Sequence, residues 1–265
     1  MNIKTLSLLI AFSLIAGVST SAYASNYALE FDGVDDLILV PKNDSQYLTN
    51  GYTMTAWIKP YSYGGARDIL GTQFDSYIFT VRDSGKLRIE LGGHGPHFIA
   101  DLTGNTAIPL NEWTYVASTF SGGLTQLYVN GTLDGTQVGS PGIAQPVTDL
   151  FIGGGVSGSF NGMIDDVRIW NGAKNQNDLQ YWANQPLTGN EPGLVASWNF
   201  DEGTGQVAHN LSPYSNNGQL GYTLLVDGTD PQWVPANSTV PEPSSLLLMS
   251  LGGIITAFIK RRRKA

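Results

Sequence analysis

The sequence predicts an all-β protein built as a sandwich of two antiparallel sheets, and three observations lead to this prediction. Short segments in which apolar and polar residues alternate recur along the chain from residue 26 onwards. Glycine, proline, asparagine and aspartate separate these segments at intervals of about 8 to 12 residues. Strands do not alternate with helical segments, which excludes a doubly wound parallel sheet.

The first part of the chain contains a series of short predicted strands. Alternation predicts strands at 27–31 and 52–59, which end at the turn residues Asp32-Gly33 and at Pro60. The same criteria predict further short strands at 37–40, 69–70, 77–81, 87–91 and 98–102. These segments supply enough strands to begin both sheets.

The middle of the chain adds two hairpins and one short helix. Strands at 113–120 and 124–129 flank Ser121-Gly122-Gly123, and Asn130-Gly131 follows at once. Asn-Gly is a strong hairpin signal because both residues tolerate positive φ. Strands are also predicted at 150–153 and 160–170. A single helix is predicted at 177–183, with Asn175 or Asn177 as its cap and Leu179, Tyr181 and Trp182 as docking residues.

The predicted strand at 160–170 contains an unusual carboxylate. Asp165 has the same phase as Met163, Val167 and Ile169, so it is predicted on the buried face, opposite Asp166 and Arg168. A buried carboxylate needs a cation or several hydrogen-bond donors. The strand therefore predicts either an ion at Asp165 or backbone donors around it.

The N-terminus, residues 1–24, is predicted to be a secretory signal peptide. Lys4 supplies the positive charge, an apolar run covers 6–18, and Ala22-Tyr23-Ala24 forms an A-x-A cleavage site. The alternative is an N-terminal anchor helix, for which the apolar run is short. We therefore expect the mature chain to begin at Ser25.

The C-terminus combines a proline-rich linker at 234–243 with a predicted membrane segment and basic tail at 244–265. The apolar run covers 246–259 and could span a membrane with its basic tail in the cytoplasm. The residues that define the end are Val240, Pro241, Glu242, Pro243, Arg261, Arg262 and Arg263. Together they resemble a PEP-CTERM sorting signal of Gram-negative bacteria. The resemblance implies cleavage by an exosortase-type membrane peptidase, transient membrane anchoring and delivery to the cell surface or matrix. The alternative is a plain tail anchor.

Charge and cysteine content limit the class of function. Six of the fourteen basic residues, and Glu242, lie in the ends that processing would remove. The mature domain then has eight basic and twenty-one acidic residues, so its net charge is −13, compared with −8 for the whole chain. Such a surface repels nucleic acid and attracts divalent cations. The chain contains no cysteine, so its core must hold the fold without disulfides.

Several stretches in order resemble one known family. They are residues 28–36, 54–60, 112–117, 127–131 and 162–171. The chain resembles a LamG-like jelly roll of the concanavalin A-like lectin/glucanase superfamily over about residues 27–182. The resemblance implies a jelly-roll fold. It leaves function open, because this fold hosts lectins, adhesion modules and glycosidases.

Residues 193–233 are predicted to be the last strands of the same domain, which would then extend over 25–233. Leu194, Ala196, Trp198 and Phe200 alternate with more polar residues, which is typical of a half-buried strand. The stretch resembles a lead-in that often precedes such domains. The alternative, a truncated second domain, would expose Trp198 and Phe200.

The family resemblance implies a structural calcium ion between the opening strand and the strand at 160–170. Asp32, the backbone at Gly33 and Asp165 would supply its ligands, and Ca²⁺ prefers carboxylate and carbonyl oxygen. The alternative is that both aspartates accept hydrogen bonds from turns or the backbone. The acidic mature domain fits either arrangement.

Trp57, Tyr61 and Tyr63 are the candidate ligand-binding residues. Trp57 lies on the polar phase of its strand, so it would face a groove or solvent; alternatively, it packs beneath a loop. No Glu-x-Asp-x-x-Glu pattern of the fold's hydrolases is present, and Asp165 and Asp166 point to opposite faces. The sequence therefore predicts a non-enzymatic exported protein that binds glycan or extracellular protein. The alternatives are a carbohydrate-active hydrolase with an unrecognised site and a structural matrix protein.

Overall fold

The computed structural model describes residues 27–42, 48, 51–72, 77–92, 99–139, 148–155, 157–214 and 216–236. Within these ranges the chain forms sixteen strands and one helix. In chain order the strands are β1 (Tyr27–Asp32), β2 (Ile38–Val40), β3 (Tyr52–Pro60), β4 (Arg67–Thr72), β5 (Tyr77–Val81), β6 (Lys86–Leu91), β7 (Ala100–Ala107), β8 (Thr114–Ser121), β9 (Leu124–Val129), β10 (Thr132–Val138), β11 (Leu150–Ile152), β12 (Asn161–Asn171), β13 (Leu194–Trp198), β14 (Val207–Ala208), β15 (Gly218–Leu220) and β16 (Gln232–Pro235). Helix α1 (Gln176–Trp182) follows β12.

The strands form two antiparallel sheets, which confirms the predicted all-β sandwich. The first sheet has the order β10-β9-β8-β3-β12-β1-β16, and the second has the order β14-β15-β2-β11-β4-β5-β6-β7. β12 is central to the first sheet because both of its edges pair with other strands. One edge pairs with β3 along most of its length, and the other edge pairs first with β1 and then with β13.

The predicted hairpins are present at both ends of β9. Gly122 and Gly123 connect β8 to β9 with positive φ values of 57° and 85°. Asn130 and Gly131 connect β9 to β10 with φ values of 49° and 69°. Positive φ at both central residues gives the turn a twist that matches the flanking strands.

The core lies between the sheets and receives side chains from alternate positions of both. Leu29 and Phe31 of β1 pack there with Phe79 of β5 and Phe160, and all four are almost fully buried. The rings of Phe31 and Phe160 meet edge to face at 6.4 Å. Each such side chain contributes about 1.5 to 3 kcal/mol by leaving water, so this core can hold the fold without disulfides.

Residues 193–236 are part of the same sandwich. β13 pairs with β12, β16 pairs with β1, and β14 and β15 extend the second sheet. Trp198 and Phe200 are fully buried in the core, whereas a separate truncated domain would leave them exposed. β16 continues to Pro235 and Ala236 is buried, so the ordered domain extends into the residues predicted as linker. Proline is tolerated there because β16 is an edge strand.

Helix α1 packs across the outer face of the first sheet. Asn175 caps it, and a capping box with Asp178 satisfies donors at its N-terminus. Leu179 is buried in a second apolar cluster with Trp57 and Tyr115. The helix therefore covers part of the sheet face that the sequence left open to a ligand.

A membrane-spanning helix is not found among the described residues. The predicted signal peptide at 1–24 and the predicted membrane segment at 244–265 lie outside those residues, as does the sorting signal at 240–243.

Candidate functional site

A β-bulge in β12 overturns the predicted orientation of Asp165. Asp165 lies opposite Trp57 of β3 and Arg168 lies opposite Thr55, so Asp166 and Val167 together face one residue. Asp166 has a positive φ of 51°. The extra residue reverses the alternation. Asp165 therefore shares the outer face with Trp57, while Val167 is in the core.

Asp165 is nevertheless buried, and the backbone and neighbouring residues stabilise it. Its Oδ1 accepts a hydrogen bond of 2.7 Å from the N–H of Asp166. Beside it, buried Arg168 donates to Asp166 at 2.8 Å and to the carbonyl oxygens of Trp182 and Gln185. The bulge thus forms a buried polar network beneath the end of α1. The backbone donor of Asp166 is the alternative that the sequence left open for Asp165.

The predicted pairing of Asp32 with Asp165 at one ion is wrong. In the register of β1 and β12, Asp32 lies opposite Asn161. Asp165 is four residues further along β12, roughly 13 Å away at about 3.3 Å per residue. Oxygens bound to one Ca²⁺ lie within about 5 Å of one another, because each bond is about 2.3 to 2.6 Å.

Asp32 instead meets two other carboxylates in the turn between β1 and β2. The candidate ligand atoms of Asp32, Asp35 and Asp36 all lie within 4.8 Å of one another, and we call these three residues the acidic corner. Asp32 accepts a hydrogen bond of 2.7 Å from the N–H of Val34. Asp36 accepts one of 2.7 Å from the N–H of Asp32. These bonds hold the turn and leave further carboxylate oxygen available.

Asp36 is only 5% exposed. Burial raises its pKa to about 6; the hydrogen bond from Asp32 opposes this, and the negative charges of Asp32, Asp35 and Asp230 add to it. Asp230 is also buried, and its Oδ1 has no hydrogen-bond partner among the described residues. The corner therefore concentrates negative charge that a bound cation would stabilise.

Gly33 allows the corner to form and contributes a carbonyl oxygen. Its φ is 81°, and a Cβ there would lie 2.7 Å from the side chain of Asn161. Arg67 donates to the carbonyl oxygen of Gly33 at 3.3 Å and to that of Ser159 at 2.8 Å. A carbonyl oxygen has two lone pairs, so Gly33 could still bind an ion beside Arg67. Carboxylate and carbonyl oxygens on a partly exposed turn fit Ca²⁺.

Asn161 joins the acidic corner to the predicted ligand residue Tyr61. Its side-chain amide donates to the carbonyl of Asp32 at 2.6 Å and accepts from Ser62 at 3.2 Å. The backbone N–H of Tyr61 donates to Asn161 at 2.9 Å. Burial and a hydrogen bond with Glu30 raise the pKa of Tyr61 to about 12. Tyr61 is therefore a neutral, partly exposed tyrosine whose backbone is joined through Asn161 to the acidic corner.

The prediction that Trp57 faces a groove or solvent is wrong. Trp57 is 2% exposed, and its ring packs on Tyr115 at 5.4 Å. Its indole N–H donates to the carbonyl of Ala183 at 3.2 Å. Trp57 therefore lies beneath α1 and the residues after it, which is the alternative considered from the sequence.

Tyr63 is held by the fold. Its hydroxyl donates to the carbonyl of Ile108, and its ring lies directly against Gly85 and the core. The hydroxyl and the ring of Tyr63 are therefore both occupied by contacts within the fold. Of the two predicted tyrosines, Tyr61 is the better placed for binding a ligand.

An exposed aromatic group at the end of α1 was not predicted. Trp182 packs on Trp170 at 5.5 Å, and Tyr181 meets Trp182 edge to face at 4.9 Å with 58% of its surface exposed. We expected Tyr181 to dock the helix together with Leu179 and Trp182. Helical spacing could have distinguished Tyr181 from the two docking residues. Leu179 and Trp182 are at positions i and i+3 and share a face of the helix, whereas Tyr181 is at i+2 and does not.

The two facing antiparallel sheets define the class of jelly-roll β-sandwich proteins. Within this class, the chain belongs to the Laminin_G_3 family of the concanavalin A-like lectin/glucanases superfamily, whose model matches residues 32–180, more than half of the chain. Residues 239–264 match the PEP-CTERM protein-sorting motif. This motif indicates an exported protein that is processed at the cell envelope.

One solved structure supports the same fold. A crystal structure of a candidate carbohydrate binding protein from Bacteroides ovatus is 20% identical and has a TM-score of 0.64, covering 81% of this chain and 61% of that chain. A heptameric SAP-like pentraxin from Limulus polyphemus is 21% identical with a TM-score of 0.45, covering 59% of this chain and 81% of that one. At 20% identity, the likeness to the Bacteroides ovatus protein establishes the fold alone.

This chain matches only a small part of one curated relative. Pappalysin-1 from Mus musculus is 24% identical over 176 residues, which are 57% of this chain and 11% of that protein. The match therefore covers one region of a much longer protein.

Proposed function

We propose that this exported protein binds glycan at the acidic corner and Tyr61, and that it does so without enzymatic activity. The observation that carries the proposal is that Asn161 bonds to the backbone of both Asp32 and Tyr61, which links the partly exposed Tyr61 to the turn that carries three carboxylates. Aromatic rings pack on the apolar faces of sugars, and carboxylates accept hydrogen bonds from sugar hydroxyls. Membership of a lectin and glucanase superfamily, and the carbohydrate assignment of the Bacteroides ovatus protein, support a glycan ligand.

Calcium is part of this proposal, with a revised set of ligands. Asp32, Asp35 and Asp36 would hold the ion, the carbonyl of Gly33 could add a ligand, and Asp165 takes no part. A bound Ca²⁺ would offset the mutual repulsion of the carboxylates and stabilise the turn that positions Asn161. The buried oxygen of Asp230 without a partner also favours a nearby cation.

Binding is better supported than hydrolysis at this corner. A glycosidase needs an acid and a second carboxylate about 5 to 9.5 Å apart on either side of the bond that breaks. Asp36 has the raised pKa of an acid, but it is buried and its carboxylate accepts the N–H of Asp32. Release of reducing sugar by the purified protein would favour the hydrolase alternative.

A glycan array with Tyr61→Ala and Tyr181→Ala tests the proposed site. We expect Tyr61→Ala to weaken binding at least tenfold, about 1.4 kcal/mol, while Tyr181→Ala, an exposed tyrosine elsewhere, binds normally. Loss with Tyr181→Ala alone would move the site to the end of α1. Absence of glycan binding by the wild type would favour a protein ligand or a structural matrix role.

Export and processing form the second part of the proposal. We infer that an exosortase-type peptidase cleaves near Pro241-Glu242-Pro243 after the C-terminal segment has anchored the chain, and that the product remains at the cell surface or in the extracellular matrix. Mass spectrometry of surface material should therefore find no peptide from residues 260–264. Recovery of the intact basic tail would favour a permanent tail anchor.

A further inference from the structure

A stretch of exposed apolar side chains lies between β15 and β16. The exposed fractions are 56% for Tyr222, 66% for Leu224, 77% for Leu225 and 78% for Val226. We call residues 222–226 the apolar loop. Single exposed apolar residues are ordinary on a protein surface, but four within five residues indicate a contact surface.

The apolar loop is held in shape by its own polar residues. The hydroxyl of Thr223 accepts from the N–H of Leu225 and bonds to Asp227, both at 3.1 Å. Asp227 accepts from the N–H of Thr229 at 2.9 Å, and its own N–H donates to Asp230 at 2.8 Å. These bonds fix the backbone, so the loop presents its apolar side chains without a further ordering cost.

The loop is anchored to the rigid sandwich at its base. The N–H of Gly221 donates to the carbonyl of Leu37 at 2.8 Å, and the N–H of Leu37 donates to Thr229 at 3.3 Å. The base therefore adjoins the residue after Asp36, beside the acidic corner.

The position of the loop in the chain indicates what it contacts. Ala236, the last described residue of the domain, is ten residues after Val226 and ten residues before Leu246, where the predicted membrane run begins. Ten residues extend at most about 35 Å. The tether is thus long enough for the loop to reach the bilayer that holds the C-terminal segment, and tethering raises the effective lipid concentration.

We propose that the apolar loop inserts into the interface of the membrane in which, according to the proposed function, the chain is transiently anchored. Leucine and valine would enter the edge of the acyl region, and Tyr222 would sit at the headgroup level. Asp227 and the acidic corner place negative charge at the base of the loop, so the preferred lipid carries a neutral, zwitterionic headgroup. The contact orients the anchored domain and is released when the tail is cleaved.

The absence of cysteine from the chain permits a site-specific test. The full-length chain with Leu225→Cys carries a polarity-sensitive fluorophore and is reconstituted in phosphatidylcholine vesicles. Val138→Cys is the matched control, because Val138 is 82% exposed on β10, at the opposite edge of the first sheet from β16. We expect acrylamide to quench the label at position 225 at least threefold less than the label at 138. Nitroxide-labelled lipid should quench only the label at position 225.

Two outcomes would overturn the proposal. Equal quenching by acrylamide at both positions would show a loop in water. Protection from acrylamide without quenching by nitroxide lipid would show that protein, such as a second copy of this chain, covers the loop.

A further variant separates lipid contact from glycan binding. Leu224→Ser with Val226→Ser, added to the labelled Leu225→Cys chain, should raise acrylamide quenching to the level of position 138. Glycan binding should be unchanged, because these side chains are exposed and lie outside the proposed glycan site. Unchanged protection of the label would contradict insertion of the apolar loop, whatever the result for glycan.

Discussion

Two acidic regions of the sandwich differ in how their buried carboxylates are stabilised. At the bulge of β12, Asp165 accepts a backbone N–H and Asp166 pairs with buried Arg168. At the acidic corner, buried Asp36 has other carboxylates as neighbours, and its pKa is raised. The first arrangement is a completed structural network, whereas the second would be stabilised by an added cation. Burial of an aspartate alone therefore does not distinguish a structural role from a binding role.

Removal of the positively charged side chain of Arg168 from the bulge should cause the largest loss of stability. Arg168→Ala leaves Asp166 and two carbonyl groups without their buried donor, so we expect a loss of about 3 to 5 kcal/mol in unfolding free energy. Urea denaturation measures it. Arg82→Ala is the control, because Arg82 pairs at 3.9 Å with the exposed Asp83 and should cost about 1 kcal/mol or less. Similar losses of unfolding free energy for both variants would show that the bulge network stabilises the fold no more than a surface ion pair does.

The acidic corner should show the opposite dependence on pH from an ordinary paired carboxylate. The folded pKa of Asp36 is about 6, above the usual 3.8. The folded state therefore holds the proton more tightly, and stability in the presence of a chelator should fall as pH rises from about 4 to 6.

Asp36→Asn checks the assignment of this pH dependence. The amide oxygen can still accept the N–H of Asp32, so the turn should form and the decline between pH 4 and 6 should disappear. Denaturant unfolding at several pH values would measure both chains. An unchanged profile would assign the dependence to another group.

Calcium should stabilise the corner and leave the bulge unaffected. A ligand that binds only the folded state at one hundred times its Kd adds about 2.7 kcal/mol. We expect EGTA to lower the Tm and added Ca²⁺ to restore it. Asp32→Asn should remove this response, and Asp165→Asn should retain it. A Tm that is the same in EGTA and in millimolar Ca²⁺ would exclude the proposed calcium site.

Gly33→Ala should have the smallest effect of the series, about 2 kcal/mol. Alanine at φ 81° costs about 1 kcal/mol, and its Cβ would also collide with Asn161. Gly65→Ala is the control, because Gly65 has φ 71° and open space around it. The difference in Tm between the two variants measures the contact with Asn161. Equal losses of Tm would show that Asn161 and the acidic corner shift to accommodate the added methyl group.

The sequence alone determined the class of fold and most of the strands. Alternation of apolar residues reports which face is buried, and Asn130-Gly131 formed the predicted turn because both residues accept positive φ. The match to a sorting motif at residues 239–264 is likewise a property of local sequence order. These predictions depend on residues close together in the chain, so they require no knowledge of packing.

Only the tertiary structure decided which acidic residues meet. Period-two alternation assumes an unbroken ladder, and the single extra residue at Asp166 moved Asp165 to the face that α1 covers. The register of β1 with β12 then separated Asp165 from Asp32 by four residues and placed Asn161 between Asp32 and Tyr61. Bulges and registers are set by contacts between strands that are distant in sequence. The sequence could therefore name the candidate residues, but the pairing of the strands determined which of them form a site.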